Sequence, residues 1–326
     1  MVEHAITDFT VKDTLAYITD VGILDPSELS TGRIVTVGAG GQVAMQEIFH
    51  RPVNTLVIDL DKDGIDEMVI SEFGHRTGQL TLMHGLPSGG YERKILLTQP
   101  GTIRTLARDM DRDGKLDLVA ITSQGDESIT ILYQKEDLRF SVDKAIRFSP
   151  IYGSSWFELL DFDNDGDTDI VTVNGDNADK TYIAKPYHGL RILLNDGNNN
   201  FKETHFHPLN GATRFVADDF DQDGDQDFVV ISTFPDYENA ADLSLVYLET
   251  LDAAKMEFKH FKFGESNLSR WFLLDKGDVD QDGDMDVILS AFTYVFTPVP
   301  QEFTKAWEEN NTDLLILKNR LRETGQ

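Results

Sequence analysis

The nine residues Asp161-Phe162-Asp163-Asn164-Asp165-Gly166-Asp167-Thr168-Asp169 put a carboxylate at every odd position of one short loop. Side-chain oxygens from positions 1, 3, 5 and 9, with a backbone carbonyl from position 7, form the hard donor set that a calcium ion takes. The glycine at position 6 permits the sharp turn that lets them converge. Four more copies follow the same plan, and together they predict up to five Ca2+ sites. Their donors are Asp59, Asp61, Asp63, Ile65 and Glu67; Asp109, Asp111, Asp113, Lys115 and Asp117; Asp161, Asp163, Asp165, Asp167 and Asp169; Asp219, Asp221, Asp223, Asp225 and Asp227; and Asp278, Asp280, Asp282, Asp284 and Asp286. Ile65, Lys115, Asp167, Asp225 and Asp284 serve through their carbonyls.

An EF-hand opens with similar spacing but needs a bidentate Glu at position 12 and a helix after it. Here position 12 is Ile70, Ala120, Thr172, Val230 or Leu289. The residues after each loop, such as Ile170-Val171-Thr172-Val173 and Phe228-Val229-Val230-Ile231, are short β-branched runs that read as buried strands. A single Asp-rich loop can be a solvated turn. Five copies in register are not explained that way, because crowding four or five carboxylates into nine residues is unfavourable without a cation.

The loops must be positioned by a repeating scaffold. They start at 59, 109, 161, 219 and 278, steps of 50, 52, 58 and 59 residues in a chain of 326. A regular repeat of that length indicates one closed array rather than two unrelated domains. Each unit reads strand, acidic loop, strand, connection, strand, turn, strand, all of it β. In the second loop-bearing unit the strands are expected at 103–108, 118–122, 128–133 and 140–148; in the third, at 156–160, 170–173, 190–194 and 202–207. Four antiparallel strands per unit is the pattern of a propeller blade. The fold class predicted is therefore all-β, a β-propeller of six blades, with seven as the alternative. One propeller domain would span 1–326: a degenerate blade without a loop at 5–50, then loop-bearing blades at 51–100, 101–150, 151–210, 211–267 and 268–321. In the first blade the strands are expected at 6–11, 15–21, 33–37 and 42–49. The last blade has a third strand at 313–321 and too short a tail for a fourth.

The formal charge is −28, and 24 of the 57 acids lie in the five loops. With a pI near 4.4, the long-range field would repel nucleic acid and anionic membranes. Five bound Ca2+ would bring the charge to −18. The absence of cysteine removes disulfide, thiolate-zinc and covalent-haem chemistry. The first twenty residues lack a basic start with an apolar core, and no run of 18 apolar residues occurs, so neither a signal peptide nor a membrane span is read. Calcium modules of this density suit an exterior rich in the ion. The expectation is a periplasmic or extracellular location, with an export signal outside this sequence and room for the chain to be part of a larger exported polypeptide.

The Asp-x-Asp-x-Asp-Gly-x-x-[Asp/Glu] loops between the first two strands of each blade resemble the FG-GAP or VCBS repeats of bacterial and integrin-type propellers, over about residues 55–320. Asn174-Gly175-Asp176-Asn177 with Lys185-Pro186-Tyr187-His188-Gly189 is similar to one group of bacterial VCBS-repeat proteins. The resemblance implies a calcium-stabilised propeller, often secreted, used for adhesion, ligand binding or scaffolding. Some propellers with related repeats accompany polysaccharide-degrading enzymes. Glu67 in place of the final Asp, and the loopless first blade, depart from the pattern.

In a four-stranded blade the acidic loops share one face, and the second-to-third connections share the other. Those connections grow from about six residues in the second loop-bearing blade to about twenty in the last, and loops that long are uncommon without a role. They carry Tyr182, Lys185, Tyr187, His188, Tyr237, Tyr294, Phe296 and Trp307, suited to a glycan or a peptide; the plainer reading is that the aromatics anchor the loops by burial. At the starts of the inner strands on that face lie Asn54, Arg104, Trp156 and Arg214. The arginines suit a carboxylate or pair with nearby acids.

Two functions follow. The first is a non-enzymatic binding, adhesion or scaffold module for a protein or glycan. The second is a carbohydrate-active enzyme such as a polysaccharide lyase, using Tyr and His on the open face. No histidine pair has a zinc-ligand spacing, and neither a Gly-x-Ser-x-Gly elbow nor a phosphate loop is present. His188 is the one candidate acid or base, whereas His205 and His207, on an outer strand, read as exposed.

Overall fold

The second strands of the blades decide how the chain packs. In the computed structural model, which describes residues 5–176, 183–293 and 299–321, those of the second to fifth blades are buried along their whole length. Burial on both faces means that both sets of alternating side chains must be apolar or paired, and the sequence runs on apolar instead of alternating. The chain divides into two compact units, Met1–Pro150 and Ile151–Gln326, with three blades in each.

In the first unit, blade 1 is β1 (Ile6–Lys12), β2 (Leu15–Asp20), β3 (Gly32–Val37) and β4 (Val43–Phe49). Blade 2 is β5 (Pro52–Ile58), β6 (Glu67–Glu72), β7 (Gln79–Gly85) and β8 (Tyr91–Leu97). Blade 3 is β9 (Thr102–Arg108), β10 (Asp117–Thr122), β11 (Ser128–Gln134) and β12 (Phe140–Arg147). Met68 and Ile70 of β6 turn to the core shared with Tyr17, Ile34 and Phe49 of blade 1. Val69, between them, turns the other way, to Leu118, Ala120 and Leu132 of blade 3.

In the second unit, blade 4 is β13 (Ser154–Leu160), β14 (Asp169–Asn174), β15 (Gly189–Asn195) and β16 (Phe201–Pro208). Blade 5 is β17 (Ala212–Asp218), β18 (Asp227–Ser232), β19 (Leu245–Asp252) and β20 (Glu257–Lys262). Blade 6 has three strands, β21 (Trp271–Gly277), β22 (Asp286–Ala291) and β23 (Leu314–Leu317). Phe228 and Val230 of β18 pack against Phe162, Val171 and Ile192 of blade 4, while Val229 and Ile231 pack against Trp271 and Leu289 of blade 6.

The fold class is thus the expected one: all-β, six propeller blades, each strand antiparallel to its neighbours. Two expectations change. The segment read as an all-β connection holds a helix, α1 (Gln301–Asn310), which begins after Pro300 and ends where Asn311 takes φ 48°. Ten residues are too few to be helical alone; burial of Trp307, 4% exposed, supports this helix. Second, His205 and His207 are half-buried rather than exposed. They sit where β16 meets β20, with His205 4.5 Å from Phe258 and His207 5.9 Å from His260 between ring centres. An outer strand here still has a seam on one side.

Candidate functional site

The five acidic loops share one backbone path. Position 4 is left-handed in every copy, with φ of 62° at Lys62, 59° at Arg112, 60° at Asn164, 61° at Gln222 and 64° at Gln281. Glycine at position 6 has φ between 85° and 103°, a region that a side chain disfavours. In the first four loops an added Cβ at that glycine would meet no atom within 4 Å, so the need is conformational, not spatial.

This path aims backbone N–H groups at the carboxylates. In the first loop Asp59 accepts from the N–H of Asp63 at 3.1 Å and of Gly64 at 3.0 Å, and Asp63 accepts from Ile65 at 2.8 Å. The loops at 109, 219 and 278 repeat all three bonds. Carboxylate oxygens of Asp59, Asp61 and Asp63, and of Asp219, Asp221 and Asp223, converge within 4.8 Å of one another, as do those of Asp109, Asp111 and Asp117.

Position 9 is the first residue of the second strand and is fully buried, with Glu67, Asp117, Asp227 and Asp286 at 0% exposure. Its carboxylate accepts two strand-locking bonds. Asp117 takes the N–H of Met110 at 2.9 Å and of Gln134 at 2.8 Å; Asp169 takes those of Phe162 at 2.9 Å and Asn195 at 2.8 Å; Asp286 takes those of Val279 at 3.0 Å and Asn319 at 2.8 Å. Asp227 pairs with the Tyr247 hydroxyl at 2.7 Å and the Thr250 N–H at 2.8 Å. Glu67, the departure from the pattern, reaches the N–H of Leu60 at 2.9 Å and the Nδ1 of His84 at 3.0 Å. Burial pushes Asp169 and Asp227 up to about 6 against these bonds, with the nearby loop carboxylates adding to the rise.

The third loop tests most directly whether these residues fit a cation. Oxygens of Asp161, Asp163 and Asp169 lie within 4.8 Å of one another. One Oδ1 each of Asp161 and Asp163 is buried without a hydrogen-bond partner. A buried carboxylate oxygen without a donor is costly, and a divalent cation bound there would satisfy both at once. Burial first, then the Asp165 charge, raises the Asp163 carboxyl. The donor set is all oxygen, which suits calcium.

Sequence reasoning missed the residues at the ends of the third strands that complete position 9: His84, Gln134, Asn195, Thr250 and Asn319. Most act through their backbone N–H, which leaves no trace in residue type. The amides have a second role, since Gln134 Nε2 donates to the Leu60 carbonyl at 3.2 Å.

On the candidate ligand face Tyr182, with Tyr294 and Phe296, lies outside the described residues. Tyr187 is half-buried and stacks on Tyr152, which sequence reasoning did not single out, at 5.7 Å and 14°. The Arg191 guanidinium lies 4.5 Å from the Tyr152 ring centre and 4.1 Å from that of Phe206. The structure places His188 inside: it is 1% exposed, with Nδ1 3.2 Å from the Gly211 N–H, an anchoring role. Lys185 is half-buried, and its N–H donates to Asn210 at 2.9 Å. Tyr237 packs 5.1 Å from Phe303 and 6.3 Å from Trp307, so burial explains Trp307 and part of Tyr237. Tyr237 also lines a cavity of about 200 Å³ with Asp236, Glu238, Val299 and Pro300.

Arg104, Trp156 and Arg214 each follow a bulge near the start of a first strand. The structure brings Trp156 and Arg214 together, the guanidinium 4.1 Å from the indole centre. Trp156 Nε1 donates to Glu158 at 3.0 Å. Arg104 is half-buried on β9 in the other unit.

Blades built on an acidic hairpin between their first two strands define a class of repeat propellers. The FG-GAP-like repeat family matches residues 109–172, from the start of the second loop to the strand after the third. With six blades, the fold is an FG-GAP/VCBS-type β-propeller. No protein of curated function matches the sequence. Among solved structures, the chain is similar to an endo-1,4-beta-xylanase from Bacteroides thetaiotaomicron at 11% identity and a TM-score of 0.40, covering 79% of this chain and 93% of that one. Likeness at that level does not bear on activity. No helix among the described residues is long and apolar enough to cross a membrane.

Proposed function

We propose that this chain is a calcium-stabilised binding or scaffold propeller working in the periplasm or outside the cell. The observation that carries the reading is the pair of buried, unpartnered oxygens on Asp161 and Asp163, in a loop whose architecture recurs four more times. The side chains at positions 1, 3, 5 and 9 and the carbonyl at position 7 would hold each ion. Calcium there supplies charge neutralisation and fixes the hairpin; it performs no reaction. A location rich in calcium follows from that dependence. The partner, a protein or glycan, would meet the face opposite the loops, where Tyr152 and Tyr187 stack as a half-buried platform.

Titration of chelator-treated protein with Ca2+ tests the first part: up to five sites should fill, and the unfolding temperature should rise with each. At calcium 100 times the dissociation constant, one site adds about 2.7 kcal/mol. Heat-free titration, or unfolding identical in calcium and EDTA, would sink the proposal. A glycan array probed with and without calcium tests the ligand, with Tyr187→Ala as the control that should lose any signal.

A further inference from the structure

Blade 6 stops at three strands, so β23 is paired with β22 on one edge and with no strand on the other among the described residues. In the other five blades a fourth strand covers that edge. Uncovered strand edges present backbone donors and acceptors ready to template another strand. The side chains also divide: Leu315 and Leu317 pack on the core between blades 5 and 6, while Leu314 and Ile316 are 59% and 39% exposed.

We propose that this edge docks an extended segment of a partner protein, which adds antiparallel to β23 and brings a basic residue at its C-terminal end. The fourth strands of the other blades define the chemistry. Four of the five begin with an aromatic, Tyr91, Phe140, Phe201 or, one residue in, Phe258. Tyr91, Phe140 and Phe258 pack on the cores between blades. In two of the fourth strands, β12 and β20, basic residues toward the far end pair with an acid just before the third strand. Lys144 and Arg147 of β12 pair with Asp126, just before β11, the second at 2.7 Å. Lys262 of β20 pairs with Asp242, just before β19, also at 2.7 Å. Asp313 lies in the corresponding connection, immediately before β23. Its carbonyl accepts the Ala291 N–H, but its carboxylate has no hydrogen bond or ion pair among the described residues. An incoming basic residue opposite Leu314 would meet it. A second copy of this chain is the poorer occupant, since two chains of formal charge −28 repel. The edge is separate from the candidate ligand face around Tyr152 and Tyr187, and strand addition there requires no ligand on that face.

The probe is a fluorescent peptide with the sequence of residues 139–148, Arg-Phe-Ser-Val-Asp-Lys-Ala-Ile-Arg-Phe, added to the intact chain in calcium. Anisotropy should show saturable binding that a scrambled peptide lacks and that Asp313→Lys weakens several-fold. N-methylation tests the pairing without touching the protein: methylating one alternating set of peptide N–H groups should abolish binding, and methylating the other should spare it. No saturable binding, equal loss with both methylated sets, or an unchanged affinity in Asp313→Lys would overturn the proposal. So would a dimer of the peptide-free chain that cross-links through Leu314→Cys, because the edge would then belong to a second copy.

Discussion

The side-chain amide of Asn319 donates to the backbone carbonyl of Phe220, 99 residues earlier, at 2.7 Å. Phe220 is position 2 of the loop in blade 5, and Asn319 lies two residues beyond β23 of blade 6. The Asn319 N–H goes to Asp286 of its own blade's loop at 2.8 Å. One residue therefore holds two neighbouring loops in register. Gln134 does the same between blades 3 and 2, through Asp117 and the Leu60 carbonyl.

Replacing Asn319 with Ala keeps the bond to Asp286 and leaves the Phe220 carbonyl without its amide donor. Loss of a partly buried partner costs about 1–3 kcal/mol. The denaturant midpoint should fall accordingly, with calcium present. A midpoint equal to that of the parent would mean the inter-blade bond is replaced by solvent at no cost.

Within the third loop, Asp163→Ala and Asp167→Ala should separate side-chain from carbonyl donors. Asp163 has a buried oxygen awaiting a partner, whereas Asp167 is read as serving through its carbonyl, its N–H bonded to Asp165 at 2.8 Å. Calorimetric titration should lose one calcium site in Asp163→Ala and keep the full count in Asp167→Ala. In calcium at 100 times the dissociation constant, the first variant should be about 2.7 kcal/mol less stable than the parent. In EDTA that gap should close. Equal effects of the two substitutions would contradict the assignment of position 7.

The strands were legible because their signals are local. Each loop fixes where one strand ends and the next begins, and two-sided burial gives β6, β10, β14 and β18 an apolar run behind the buried acid that opens each of them. The missing fourth strand of blade 6 was visible for the same reason. Contacts across seams were not. Nothing in the sequence marks Asn319 as the partner of Phe220 in the next blade, and the stack of Tyr152 on Tyr187 within blade 4 is as hidden, because tertiary packing makes both pairs. The left-handed position 4 escaped because Lys62 and Arg112 are not residues that advertise positive φ. Helix α1 was hidden by its length and by flanking prolines, with only Phe303 and Trp307, four apart, hinting at a packed face.

His207 gives the fold a pH dependence of known sign. Burial pushes its imidazole down to about 4 from an ordinary 6.5, and the charges of His260 and His205 act in the same direction. The unfolded chain therefore takes up this proton at a higher pH than the folded one. The stability contributed by the neutral ring is complete above pH 6.5 and is lost as pH falls through the window down to about 4. One proton gives a slope of at most about 1.4 kcal/mol per pH unit. Loop carboxylates titrate in the same range, so the parent alone does not isolate the effect. His207→Phe retains an aromatic ring at the seam and removes the titration. At saturating calcium, the parent should lose stability relative to His207→Phe between pH 6.5 and 4, measured as the difference in unfolding free energy. A difference that stays flat across that window would show that the folded protein accommodates the charged ring and that the seam is open to water.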